Sequence, residues 1–247
     1  MNLSQTLGIA RSLAMYYGIP LRARRLRAFY APFVAPGSLA FDIGAHVGNR
    51  VRTWRQLGAR VVAVEPQPGC VEVLEWFYGR DPGVVLERVA IGAAPGEAEL
   101  LVSERTPTVS TLSGDWAAKV ARHASFSAVA WNRRVKVPVT TLDALIERHG
   151  EPAFIKLDIE GFEAAALAGL SRPVAALSFE YLAAARTDAV ACVEGVAALG
   201  AYEFNHSPGE SHRLVRAAWV SAAQMRDWLA RLSDGDGSGD IYARRLR

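Results

Sequence analysis

The stretch LAFDIGAHVG, residues 39–48, runs an apolar segment into Asp42 and then into two glycines spaced Gly44-x-x-x-Gly48. A short apolar run that stops at turn residues reads as a buried strand, and residues 51–57 behind it carry a helical pattern. In an open sheet covered by helices, ligands sit beyond the carboxyl ends of the strands. The turn therefore stands where a nucleotide-like molecule would bind. Outward from it the alternation continues, with strands expected at 60–65, 84–89, 153–158, 174–180, 202–205 and 212–220. Helices are expected at 70–78, 142–148, 163–169, 189–199 and 222–232. This order predicts an α/β fold, a parallel sheet with helices on both faces. Two further strands, 98–103 and 134–139, enclose an irregular stretch (104–114) and a helical segment from Trp116 to Val129. Together they read as an insertion, about residues 98–139, above the strand ends.

The 247 residues, 51% hydrophobic and 21% charged, are enough for one large core. The expected layout is a basic helical segment over 1–38, one domain over 39–232, and a flexible tail over 233–247 that opens on the glycine-rich SDGDGSGD. No run of eighteen apolar residues is present, and the first residues lack a lysine-then-apolar signal pattern, so a cytoplasmic protein without a transmembrane segment is expected. Cys70 and Cys192, the only cysteines, fit a reducing compartment and no structural zinc. The net charge of +3 is unevenly spread: no Asp or Glu precedes Asp42, while Arg11, Arg22, Arg24, Arg25 and Arg27 do. Leu3, Leu7, Ala10, Leu13 and Ala14 recur at helical spacing. That spacing predicts an amphipathic helix with its apolar stripe packed on the domain and its arginines in solvent. The same basic segment could meet anionic lipid, an acidic glycan or nucleic acid, or act as a transit peptide. Nucleic acid is not expected, because no aromatic-interleaved basic strand accompanies it.

The sign of the charges narrows the ligand. A dinucleotide turn needs G-x-G-x-x-G, and here the middle position is His46. Asp42 at the strand end would repel a pyrophosphate and attract an ammonium, such as that of S-adenosylmethionine. Glu65 ends the next strand, 21 residues after Gly44, where a carboxylate can accept hydrogen bonds from both ribose hydroxyls. Pro66 and Pro68 stiffen the corner behind it. The plainer alternatives are that the glycines serve packing, that Asp42 caps a helix, and that Glu65 is solvated.

With FDIGAHVG, VVAVEPQP, VPVTTLDALI, FIKLDIEGFEAAALAGL and LSFEYL in view, residues 39–182 resemble the FkbM-type S-adenosylmethionine-dependent methyltransferases. The resemblance implies a Rossmann-like class I methyltransferase fold, with a seven-stranded, mostly parallel sheet and helices on both faces. It implies transfer of a methyl group to a hydroxyl of a sugar or secondary metabolite. It further implies that Asp42, Gly44, His46 and Gly48 line the methionine end, Glu65 and Pro66 the ribose, and Arg88, Val89 and Ala90 the adenine edge. Asparagine is usual in the family at the place of His46, and an asparagine-like polar residue near Arg88.

Methyl transfer to a hydroxyl needs placement and a base. Asp158 ends the strand beside the glycine turn, Glu160 follows where the chain leaves it, and Glu180 ends the next strand. These three carboxylates could share a proton or hold Mg²⁺, and proton sharing is the favoured reading. Lys156 alternates with Asp158 and is placed to pair with a carboxylate. His123 is a further candidate base, and His206 a loop candidate over the cleft. Ser110, Thr111, Trp116 and Trp131 are candidates for the acceptor side, core packing being the alternative for the tryptophans. Two other functions share the sheet: a nicotinamide dehydrogenase, and a non-catalytic binding or scaffolding protein.

Overall fold

A computed structural model describes residues 3–18, 20–123 and 126–246. The main sheet follows the expected alternation. Its strands are β1 (Leu39–Ile43), β2 (Arg60–Val64), β3 (Val84–Glu87), β7 (Phe154–Leu157), β8 (Ala176–Leu182), β9 (Tyr202–Pro208) and β10 (Ser238–Arg245), in the order β3-β2-β1-β7-β8-β10-β9. All pairs are parallel except those of β10, which runs antiparallel to both β8 and β9. This is the seven-stranded, mostly parallel sheet expected from the sequence.

Side chains alternate across the sheet, so each strand feeds two cores. Phe41, Ile43, Val62, Val64, Ile155 and Phe179 face α6 (Leu142–His149), α7 (Glu163–Leu167), α8 (Arg186–Leu199) and α9 (Ala222–Ala230). Ala40, Val61, Ala63 and Phe154 face α2 (Pro20–Tyr30), α3 (Asn49–Gln56) and α4 (Pro68–Tyr78), where Tyr30, Trp54 and Leu74 fill the space. Local chemistry sets several helix starts. The Thr141 hydroxyl accepts from the Ala144 amide at 3.1 Å, and Ser221 with Gln224 forms a reciprocal capping box at α9.

The insertion forms a second sheet of β4 (Ala90–Ile91), β6 (Arg133–Thr140) and β5 (Gly96–Val102). The strand expected over 84–89 ends at Glu87 in the main sheet, and β4, just beyond the expected run, joins the insertion parallel to β6. The helix expected to extend to Val129 is α5 (Gly114–Val120), and Ala124 and Ser125 of that expectation lie outside the described residues.

Three expectations are corrected. The tail expected to be flexible is β10, an inner strand whose Ile241, Tyr242 and Ala243 are fully buried. The glycine-rich stretch before it is a tight connection, and its composition masks the alternating strand that follows. Residues 212–220, expected as a strand, run along the outer edge of β9 and make a single antiparallel bridge there, Phe204 to Val220, while β10 pairs with its inner edge. The helix α1 (Leu3–Tyr17) forms as expected but is turned over. Gln5, Gly8, Ile9 and Ser12 face inward, while Leu3, Leu7, Ala10 and Ala14 face solvent. The close approach explains this. A Cβ on Gly8 would stand 2.4 Å from the Glu104 carbonyl oxygen, so α1 lies on that backbone by its Gly8 side, with Ile9 buried and Leu13, alone of the expected stripe, partly buried against it.

Tyr242 anchors β10, its ring stacked on Phe33 at 5.6 Å and on Phe154 at 6.3 Å. Replacing a fully buried aromatic leaves a cavity worth about 3–5 kcal/mol. Tyr242→Ala is expected to lower unfolding free energy by roughly that amount in urea titration, whereas a mobile tail would leave the midpoint unmoved.

Candidate active site

The carboxyl ends of β1, β2, β7 and β8 open on a cleft of about 220 Å³. Its first wall is the turn from β1 into α3. Gly44 has φ 82°, and a Cβ there would lie 2.0 Å from the Asp158 carbonyl oxygen, so only glycine lets this turn press against the end of β7. His46 is also left-handed, at φ 50°, a conformation that costs a non-glycine residue about 1 kcal/mol or more. Its amide is thereby aimed at Glu65, donating to Oε2 at 2.8 Å, while the Gln67 amide donates to Oε1 at 2.8 Å. Glu65 is buried and fixed, not solvated. Burial pushes its carboxyl up to about 7, against the lowering effect of the two amide bonds.

The second wall is built from IEGFE, residues 159–163. Here Glu160 takes φ 53°, and the buried Glu163 carboxylate accepts from the amides of Ile159 at 2.9 Å and Gly161 at 3.0 Å. The Thr111 hydroxyl donates to the Glu160 carbonyl at 2.6 Å. The turn so held brings Asp158, Glu160 and Glu180 together, with one carboxylate oxygen of each within 4.8 Å of the others. Burial is the largest effect on all three. The Glu160 carboxyl is held well above its usual range by burial, then by Glu180 and Asp158, and that of Glu180 by burial, then by Asp158 and Glu163. Asp158 goes the other way: Lys156 and Arg50 outweigh its burial and keep it below the usual carboxylate range.

The floor of the cleft carries a charge network. Arg50 Nη2 contacts Asp158 Oδ2 at 2.7 Å, and Lys156 Nζ contacts Asp240 Oδ1 at 2.8 Å and Asp158 Oδ2 at 3.6 Å. Asp42 is fully buried and neither of its oxygens has a hydrogen-bond partner; burial drives its carboxyl up to about 7 although Arg50 opposes this.

Of the residues singled out in the sequence, Gly44, His46, Glu65, Pro66, Val89, Ala90, Asp158, Glu160 and Glu180 line the cleft together, with Ser110 and Thr111. The others do not. Asp42 lies below the floor among the buried charges and does not line the cleft. Gly48 packs under Tyr78, whose hydroxyl donates to its carbonyl at 2.9 Å. Arg88 is exposed and paired with Glu75, because its side chain points away from the neighbouring Val89. His123 contacts the Asp234 carbonyl at 3.1 Å, outside the cleft. His206 stacks on Trp228 at 4.0 Å, and Trp116 and Trp131 pack with each other at 6.4 Å, so all three serve packing. The loop after β9 does reach the cleft, through Gly209 and Glu210.

Sequence reasoning missed Arg50, Gln67, Glu163, Asp240 and Tyr16. An arginine early in a helix reads as solvated, and Glu163 reads as an ordinary first-turn acid. Asp240 was hidden in the supposed tail. Gln67 sits between two prolines directly after Glu65, and that position was a usable signal: it lines the cleft, is buried, and its Nε2 has no partner.

A search of curated protein sequences found no significant match. Among solved structures, the chain is similar to a precorrin-6y C5,15-methyltransferase from Geobacter metallireducens, at 12% identity and a TM-score of 0.45, over 92% of this chain and 87% of that one. An rRNA methylase from Streptococcus thermophilus gives 12% identity and 0.45, over 90% and 94%. The C-terminal domain of the precorrin-6Y C5,15-methyltransferase from Rhodobacter capsulatus gives 12% and 0.40, over 90% and 88%. The model of the FkbM methyltransferase domain matches residues 42–233, from the aspartate of β1 to the turn before β10, and the chain belongs to this family of S-adenosylmethionine-dependent methyltransferases.

Proposed function

We propose that this methyltransferase transfers its methyl group to a hydroxyl of a sugar or secondary metabolite, with Glu160 and Glu180 receiving the proton. The observation that carries the reading is the clustering of Asp158, Glu160 and Glu180 at the cleft, one carboxylate oxygen of each within 4.8 Å of the others, with burial holding the two glutamates above their usual range. Three charges so close do not all ionise, so one proton is shared, and a carboxylate raised toward neutrality is a stronger base than a solvated one.

The cleft fits S-adenosylmethionine on several counts. The Gly44 turn lines it, Glu65 is aimed by two amides, and His46 and Gln67 each hold a buried ring or amide nitrogen without a partner. Glu65 would hold the ribose hydroxyls, Gln67, Val89 and Ala90 the adenine side, and Gly44 and His46 the methionine side. Bound there, the sulfonium supplies an electrophilic methyl. The protein's own part is to place the acceptor hydroxyl, exclude water and take up its proton at Glu160 or Glu180. Asp42 would act indirectly, as the negative charge beneath the turn.

A divalent cation such as Mg²⁺ is the competing use of the same carboxylates, which offer hard oxygen ligands. Asp158 weakens it, because Arg50 and Lys156 already occupy the Oδ2 side of its carboxylate. The nicotinamide reading loses its ground with the family assignment.

Glu65→Gln is expected to weaken S-adenosylmethionine binding by about 10- to 100-fold in calorimetry, the scale of losing hydrogen bonds to a charged acceptor. The wild-type affinity should rise with pH from 5.5 to 8, because the ionised form of Glu65 is the better acceptor and its carboxyl sits at about 7 in the free protein. The glutamine variant should flatten that profile, and equal affinities across pH in the wild type would contradict the assignment. Glu160→Gln and Glu180→Gln are each expected to lower kcat by about a hundredfold or more. Donor affinity should stay within about threefold of wild type, since neither is assigned to the donor. The assay is radiolabelled methyl transfer to a panel of free sugars and glycosides. Activity should persist in EDTA; activity lost in EDTA and restored by Mg²⁺ would overturn proton sharing in favour of the cation.

A further inference from the structure

We infer that α1 and the adjoining edge of α4 form a docking surface for an anionic lipid bilayer, with the cleft held beside the membrane. The inference starts from the inverted helix. Leu3, Leu7, Ala10 and Ala14 make a continuous stripe at i, i+4, i+7 and i+11, and it points into solvent: Leu3 is 76% exposed and Leu7 62%. Met15, 43% exposed, lies on one border of the stripe beside Arg11.

The other border continues onto α4. Gln5 packs on Gly69 and Tyr17 stacks on Phe77 at 5.5 Å, so the two helices run side by side in the same direction. Phe77 touches Trp76 at 4.7 Å, and Trp76 is 80% exposed, the most open of the large hydrophobic side chains among the described residues. Leucines, a methionine and a tryptophan on one outward surface are the composition that sinks into the headgroup region of a bilayer. A single exposed leucine needs no explanation, but a contiguous stripe does.

Charge decides the partner. Five arginines and no acid precede Asp42, and Arg11, Arg24 and Arg25 are exposed. Arg52 lies over the Tyr17 ring at 5.3 Å, on the same border. Glu72 on α4 is the one exposed acid on that helix near the patch. Nucleic acid or an acidic glycan would use the arginines and leave the leucines without a role. A lipid surface uses both: anionic headgroups attract the arginines and the acyl boundary takes the apolar stripe. The inward face of α1 places Tyr16 in the wall of the cleft, its ring edge-on to His46 at 5.9 Å. One helix therefore touches the membrane on one side and the active-site wall on the other.

The test is flotation of the full chain with phosphatidylcholine vesicles, with and without about a third phosphatidylglycerol. Binding to the anionic vesicles should exceed binding to neutral ones by about tenfold or more and fall with salt. The double variant Leu3→Gln/Leu7→Gln, whose positions are exposed and carry no core packing, should reduce vesicle binding about tenfold. Arg11→Gln/Arg52→Gln, at the borders of the stripe, should remove most of the preference for anionic lipid. Trp76 emission should shift to the blue on binding, read as the difference between wild type and Trp76→Phe. No binding to either vesicle would overturn the inference, as would binding indifferent to the leucine variant, which marks a purely ionic site for nucleic acid or glycan. A dimer in sedimentation that Leu7→Gln dissociates would overturn it too, because a second copy would then cover the stripe.

Discussion

The contact between Arg50 and Asp158 is the constraint on which the cleft depends. It ties the first turn of α3 to the end of β7 across the glycine turn, and through Lys156 it reaches Asp240 on β10. Burying isolated charges is prohibitive, and burying them as an alternating array is tolerable when geometry and hydrogen bonds are good. The array therefore demands that β10 be in place, since without Asp240 the fully buried Lys156 would face Asp158 alone. A reaction site at one end of the sheet is in this way coupled to the last strand to join it.

The two turns that form the cleft are built on one plan. In each, a non-glycine residue, His46 or Glu160, sits in the left-handed region close to a glycine that does the same. In each, a buried glutamate accepts two backbone amides, Glu65 from His46 and Gln67, Glu163 from Ile159 and Gly161. Strain in the backbone is thus offset by charge-assisted hydrogen bonds, and the functional groups are aimed without relying on flexible side chains. The difference lies in exposure to ligand. Glu65 opens on the cleft, whereas Glu163 stays behind the wall and acts through the position it gives Glu160.

Much of the fold was legible. β1 forms from the apolar run before the glycine turn, and the α/β order holds because buried parallel strands and amphipathic helices have distinct periods. The strand-end acids Glu65, Asp158, Glu160 and Glu180 were legible for a related reason: charge at the end of an apolar strand has few structural uses. What was not legible shares one property. Arg50, Glu163 and Asp240 act through partners far away in sequence, and the stripe of α1 was assigned to the wrong side because its periodicity is the same whichever way the helix is turned.

Sequence by itself determined the sheet, the helices, the glycine turn and the acidic character of the cleft, since these follow from local periodicity and from the sign of the charges. Tertiary structure alone decided that residues 238–245 complete the sheet, that Asp42 lies beneath the cleft, and that α1 shows its leucines to solvent. The reason is physical. Strand pairing, burial of charge and helix orientation depend on which distant backbone comes close, and here Gly8 against Glu104 and Gly44 against Asp158 set those approaches.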